Sequence, residues 1–322
     1  MSAPASRLLL LTGIVALALF PLIGDKYDLQ LLSKIMLMAV FAMSLDLLVG
    51  FTGLVSLGHA AFFGLGGYAL WLLSPQYAAA SLWLTLAGAI AIAAMAALLI
   101  GFLVLRSSGV YFIMVTLAFA QMFFYYATGA KWLGGSDGAY IYVRPSMTLF
   151  GWTPVNLANH VDFYYVALAL MVATYFLLRM ILRSLFGQVI RGIKSNEQRL
   201  RGLGFPTFRY QLASFVLAGA IAGLAGYFNA AQFGFVNPDL FGWRISGEVL
   251  MMVILGGMGT LYGPVLGAFI LVLLENELAG MTRHWLLPMG LFIIVAVLVL
   301  PGGVAGVFQR FARRRVAEQA NA

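Results

Sequence analysis

The sequence predicts an all-α protein, a polytopic transmembrane helix bundle of about 8–10 membrane helices, some of them broken at glycine. Three observations lead there. Hydrophobic residues make up 62% of the 322-residue chain and charged residues 9%, against roughly 45–50% and about 25% in soluble proteins, so no water-soluble fold could hide the apolar surface. The apolar residues fall into runs close to the roughly 20 residues that a helix needs to cross the hydrocarbon. The charges collect between those runs, where loops at the membrane surface would hold them.

In chain order the runs place helices near 8–24, 29–49, 56–73, 81–105, 109–128, 161–182, 212–232, 246–262, 264–280 and 285–300. The first follows a single positive charge, Arg7, and Ala16, Leu17 and Ala18 have the spacing of a signal-peptidase site. Because further hydrophobic segments follow at once, an uncleaved first helix is the simpler expectation. The glycine-interrupted pieces at 50–67 and 255–267 read as broken or re-entrant helices. Two hydrophilic segments are long enough for work of their own: 129–160, rich in Gly, Pro, Asn and Tyr, and 183–211, basic and helix-compatible from Phe186 to Arg201. A basic tail occupies 302–322, and the whole of 1–322 reads as one transmembrane domain.

Charge then orients the bundle. With the N-terminus in the cytoplasm, Arg7, Arg106, Arg179, Arg183, Arg191, Lys194, Arg199, Arg201, Arg209, Arg310, Arg313, Arg314 and Arg315 all lie inside, thirteen of the nineteen basic residues. The expected outer loops carry Lys26, Lys131, Arg144, Arg244 and Arg283, offset by Asp25, Asp28, Asp137, Asp162 and Asp239. Both termini are therefore expected in the cytoplasm, and the net charge of +8 is an orientation signal rather than a nucleic-acid footprint.

Catalytic constellations are scarce. The chain has no cysteine and three histidines, His59, His160 and His284, which excludes thiolate chemistry and leaves no metal set. No lysine sits in a Walker A loop and no dinucleotide fingerprint is present, so the chain is expected to bind no cofactor and to hydrolyse no ATP. Residues 134–138 match the Gly-x-Ser-x-Gly pattern of hydrolases, without the strand-turn-helix setting or neighbouring His that the pattern needs.

The candidate sites lie in the apolar runs instead. Gly50, Gly53, Gly58, Gly64, Gly66 and Gly67 crowd one stretch with Ser56 and His59, where backbone can approach backbone or a substrate. Tight helix packing is the plainer reading, and lining or gating of a pathway the functional one. In the second stretch Glu248 enters an apolar run ahead of Gly256 and Gly257. An acid in lipid is expensive, so Glu248 is expected to face protein, water or a cation. Asp46 and Lys34 sit near helix ends and could snorkel. The pairs Gly219/Gly223 and Gly263/Gly267 fit the small-xxx-small pattern of close helix crossings. The polar helix-turn around Arg191, Asn196, Glu197 and Gly204 suggests docking of a partner, with a lipid-headgroup anchor as the alternative.

Five stretches carry a resemblance: residues 50–64, which hold Ser56, His59, Phe63 and Gly64; 109–118, which hold Tyr111; 134–138; 197–204; and 246–267. In these the chain resembles the LivM-type permeases of branched-chain amino acid ABC importers, relatives of the LivH type. The resemblance implies a permease subunit of an ATP-driven importer in a bacterial-type inner membrane. Its partners would be a second LivH-like permease, two ATP-binding subunits that carry ATP and Mg, and an external substrate-binding protein. Ser56, His59, Phe63, Gly64, Tyr111, Glu248, Gly256 and Gly257 stand as the pathway or gating candidates, and the resemblance marks the segment of Arg191, Asn196, Glu197 and Gly204 as the ATPase-docking loop. The family's usual Glu-x-Ala-Ala pattern is here Glu197, Gln198, Arg199 and Leu200, with Gly204 retained. Permeases for urea and short amides share the same family shape. An ion-coupled secondary amino acid transporter would have to work through acids such as Asp46 and Glu248.

Overall fold

The structure is a computed structural model and describes residues 12–22, 24–75, 78–149, 152–300 and 302–306. Helix α1 (Thr12–Leu22) leads into α2 (Lys26–Asp46), which widens without a break into a π-helical turn, Leu47–Thr52. There follow α3 (Ala60–Leu73), α4 (Leu82–Val104), α5 (Val110–Gly129) and α6 (His160–Arg183), then the short α7 (Leu185–Ser195) and α8 (Glu197–Gly202). The long α9 (Thr207–Phe233) precedes α10 (Trp243–Gly256), α11 (Gly263–Met281) and α12 (Leu286–Val299). Among the described residues, strand content is confined to two short antiparallel pairs, β1 (Ala139–Tyr140) with β4 (Phe235–Val236) and β2 (Met147–Leu149) with β3 (Trp152–Val155).

Helix α2 is the axis of the bundle. It is apolar on every side, and from Ile35 to Asp46 each residue is buried, as expected of a helix with no polar face to give to solvent. α4 buries a single stripe, Ala89, Ala93, Ala97 and Gly101, spaced four apart. That stripe meets Gly219 and Gly223 of α9, where an added Cβ would collide with the methyls of Ala97 and Ala93. The predicted small-residue pair is thus a helix crossing. On an adjoining flank of α9, Gly223 and Gly226 lie against the backbone of α3 at Gly66 and Phe63.

Contacts between loops fix the direction of each crossing. On one face, here the upper, the amide of Gln30 in α2 lies 3.2 Å from His160 at the start of α6. Ser81 ahead of α4 bridges Ser146, β1 pairs with β4 beyond α9, and the Tyr27 hydroxyl donates to Asn276 of α11 at 2.6 Å. On the lower face Lys194 of α7 reaches Gly50, and Gly257 beyond α10 packs on Gly302 and Ala305 beyond α12. α2, α4, α6, α10 and α12 therefore descend while α3, α5, α9 and α11 rise. α1 joins the upper part through Tyr164, whose hydroxyl donates to the Leu17 carbonyl at 2.7 Å.

Among the described residues, seven segments are long and apolar enough to span a membrane unaided: Lys26–Thr52, Leu82–Val104, Val110–Gly129, His160–Arg183, Thr207–Phe233, Gly263–Met281 and Leu286–Gly306. The chain is a multi-pass membrane protein. α3 and α10 have 14 residues each, about 21 Å of helix against a hydrocarbon core of roughly 30 Å. The irregular segment 53–59 before α3, and residues 234–242 before α10, which hold β4 and a 3-10 turn at Pro238–Phe241, extend their paths. The helix expected at 246–262 accordingly starts earlier and stops at Gly256, because Gly257 takes φ +114 and Gly259 φ +77, values that end a helix. The loop helix expected from Phe186 to Arg201 is two helices, broken where Asn196 turns extended. The start of the first predicted helix, and most of the tail at 302–322, lie outside the described residues.

Candidate functional site

The first glycine-rich break runs from the π-helical turn through residues 53–59 into α3. Irregular backbone at membrane depth must be satisfied by protein, and side chains from two other helices and from the break itself do this. Thr116 of α5 accepts the Leu57 N–H at 3.3 Å, Ser246 of α10 accepts the Ala60 N–H at 3.0 Å, and the Ser56 hydroxyl accepts that of Gly58 at 3.2 Å. His59 is fully buried, its Nε2 2.8 Å from the Ser44 hydroxyl of α2 and its ring stacked 5.5 Å from Phe41. Phe63 stacks on the same Phe41 at 4.5 Å, and Gly64 faces the ring of Phe241. Ser56, His59, Phe63 and Gly64 are thereby brought together, enclosed by α2, α9, α10 and the 3-10 turn Pro238–Phe241.

The second break spans Gly256 to Gly263. Gly256 abuts the Gly263 carbonyl and Gly267 the Met252 carbonyl, so α10 and α11 form a hairpin with backbone in contact. The two breaks meet on the lower face. The carboxylate of Asp46, fully buried at the end of α2, accepts the Gly259 N–H at 2.8 Å. Gly50 is so close to this bond that a Cβ there would strike both the Asp46 carboxylate and Gly259.

The lower-face helices are clamped to that meeting point. Lys194 donates from Nζ to the Gly50 carbonyl at 2.5 Å, and the Arg191 guanidinium lies 5.5 Å from the centre of the Phe51 ring. Asn196 caps α8, accepting the Arg199 N–H at 2.9 Å. Glu197 accepts from Arg201 at 2.6 Å and from Thr207 of α9 at 3.1 Å, while Arg201 Nε donates to the Thr207 hydroxyl at 3.0 Å. Gly204 takes φ +85, and its N–H donates to Arg201 at 2.9 Å. The four residues singled out in this segment hold its shape, and Leu185 and Leu203 stand out from it, 79% and 68% exposed.

Glu248 and Tyr111 lie elsewhere. Glu248 sits beside Glu275 of α11, Lys34 of α2 and Arg244, with Lys34 Nζ 4.0 Å from Glu275. Sequence reasoning missed Glu275, although an acid in an apolar run is the signal that marked Glu248. It also weighed Asp46 and Lys34 as snorkelling helix ends, whereas Asp46 is buried and hydrogen-bonded and Lys34 is partnered within the bundle. Tyr111 is 75% exposed, on a stripe of α5 with Met114, Met122 and Tyr125, and faces away from the chain's own core. An upper-face groove of about 220 Å³ is lined by Trp71, Ser74, Tyr140 and Tyr142 among others, apart from the predicted pathway residues.

A bundle with two crossings interrupted by glycine, their breaks in contact and held from one face by an amphipathic helix, has the build of a membrane transport protein. The chain belongs to the family described as the permease component of the branched-chain amino acid transport system, whose model matches residues 28–302. It is 29% identical to the high-affinity branched-chain amino acid transport system permease protein LivM of Salmonella typhimurium, over 94% of this chain and 76% of that protein. The LivM of Escherichia coli K12 matches with the same identity and coverage. The autoinducer 2 import system permease protein LsrC of Klebsiella pneumoniae is 30% identical over 58% of this chain and 53% of its own. No solved structure matches.

Proposed function

We propose that this chain is the membrane-spanning permease subunit of an ATP-driven importer for branched-chain amino acids. The observation that carries the reading is likeness to LivM across 94% of the chain, against 58% for LsrC, which favours branched-chain amino acids over autoinducer 2 as cargo. In this reading the chain forms the translocation pathway with a second LivH-like permease in the inner membrane, both termini cytoplasmic. An external binding protein delivers substrate to the upper face. Two ATP-binding subunits dock on α7 and α8 at the lower face, where Leu185 and Leu203 offer exposed apolar knobs between basic residues. ATP chemistry belongs to those subunits, since this chain has no phosphate loop of its own.

Mechanistically, movement of α7 and α8 would pass to the paired glycine breaks, where residues with little steric hindrance can change backbone angles at small cost. Ser56, His59, Phe63, Gly64, Gly256 and Gly257 lie at or next to those breaks and would open with them. Tyr111, on the outward stripe of α5, would meet the second permease.

The test is a mild affinity purification of the tagged chain from its native membranes, followed by reconstitution and uptake of labelled leucine, valine, urea and acetamide. Co-purification of a Walker-bearing ATPase and a second permease, with leucine or valine uptake that needs ATP, is the expected result. Recovery of the chain alone with uptake driven by an ion gradient would replace this reading with a secondary transporter.

A further inference from the structure

The Lys194 ammonium is tied to the Gly50 carbonyl at 2.5 Å, inside the π-helical turn Leu47–Thr52. A π turn is a local widening often found at working sites. The aliphatic stem of Lys194 packs on Gly53, which holds φ +84 and would bring a Cβ to 3.1 Å from Lys194 Cγ. The neighbouring Asp46 is fully buried, binds Gly259 through Oδ1 and leaves Oδ2 without a hydrogen-bond partner. Gly50 stands between the two side chains: its carbonyl accepts from Lys194, and a Cβ on it would strike the Asp46 carboxylate. One lysine on a lower-face helix thus holds the first break directly, and through Asp46 it bears on the second.

We infer that Lys194 and Asp46 form a coupling latch: Lys194 ties the movement of α7 to both glycine breaks, and Asp46 carries it from the π turn to the turn between α10 and α11. This rests on the permease reading above and names the residues through which the docking segment would act. Lys194 acts through Gly50 and Gly53, as a positioning residue. Its charge and reach matter rather than its bulk, because a charge-assisted hydrogen bond inside protein is stronger than a neutral one and is lost outright when the ammonium is removed.

The chain has no native cysteine, so a single Met258→Cys substitution in the second break, where Met258 is 51% exposed, gives a clean reporter. Lys194→Met and Lys194→Arg are each built on that background. The readouts are the rate of maleimide labelling at position 258 and leucine uptake per ATP hydrolysed by the reconstituted complex. Lys194→Met is expected to change the labelling rate several-fold and to lower uptake per ATP by roughly tenfold, the scale of one charge-assisted hydrogen bond. Lys194→Arg is expected to restore most of both.

Unchanged labelling and unchanged coupling in Lys194→Met would overturn the latch. So would a Lys194→Arg variant no better than Lys194→Met, which would mark Lys194 as merely structural. If the wild-type chain recovers no ATPase, the permease reading fails, while the labelling arm still decides whether Lys194 controls the second break.

Discussion

Gly226 and Gly66 decide how closely α3 and α9 approach. A Cβ on Gly226 would run into the Phe63 carbonyl, and one on Gly66 into the Gly223 carbonyl, so backbone rather than side chain forms the contact. In lipid, where no hydrophobic force drives helix on helix, such close packing is a main source of association. Gly226→Ala must push two buried helices apart, an overpacking cost of about 1–3 kcal/mol. Gly280, by contrast, has nothing within 4 Å of its Cβ position, and Gly280→Ala should gain up to about 1 kcal/mol from helix propensity. Thermal unfolding of the detergent-solubilised protein is expected to fall for the first variant and hold or rise for the second. Equal midpoints would mean that α3 and α9 are not in backbone contact.

The joint between α8 and α9 turns on Gly204. Its φ of +85 suits glycine, its N–H closes the turn on Arg201, and a Cβ there would meet nothing within 4 Å. Conformation alone is therefore at stake. Proline fixes φ near −65° and has no N–H to donate, so Gly204→Pro must rebuild the turn and move α8 away from Thr207. Insertion and amount in the membrane are expected to stay normal while ATP-driven uptake is lost; Gly204→Ala, strained by roughly 1–2 kcal/mol, should keep part of it. Normal uptake by the proline variant would remove the docking role from this segment. That segment also marks where sequence stops informing. Its length, basic charge and helical character could be read directly, because they are local, and so could the two glycine breaks inside apolar runs. The meeting of Gly50 with Gly259 could not, since nothing in one chain pairs positions so far apart. Nor could the hold of Lys194 on Gly50, which depends on a π turn that no periodicity announces.

Across the whole molecule the alternation of crossings has a consequence for orientation. The described residues of 130–159 lie on the face opposite 184–206, and α3 and α10, though too short to span alone, count as crossings because segment 53–59 and residues 234–242, with β4 and the 3-10 turn, extend them. Had α10 been a re-entrant hairpin, every later loop would have changed sides, and the basic residues of α7 and α8 would no longer share a face with the end of α12; had α3 been one, they would no longer share a face with Gly50 at the end of α2. Arg191, Lys194, Arg199 and Arg201 gather on the lower face, and the positive-inside rule predicts that this face is the cytoplasmic one. Tyr142 is 74% exposed at the upper face and Leu185 79% exposed at the lower, in a chain without cysteine. A membrane-impermeant maleimide applied to spheroplasts is therefore expected to label Tyr142→Cys at once and Leu185→Cys only after the membrane is permeabilised. Labelling of both from outside would mean that α6, the one crossing between them, fails to span, and reversed labelling that α3 fails to cross or that the bundle is inserted the other way up; either would move the docking surface away from the compartment that holds ATP.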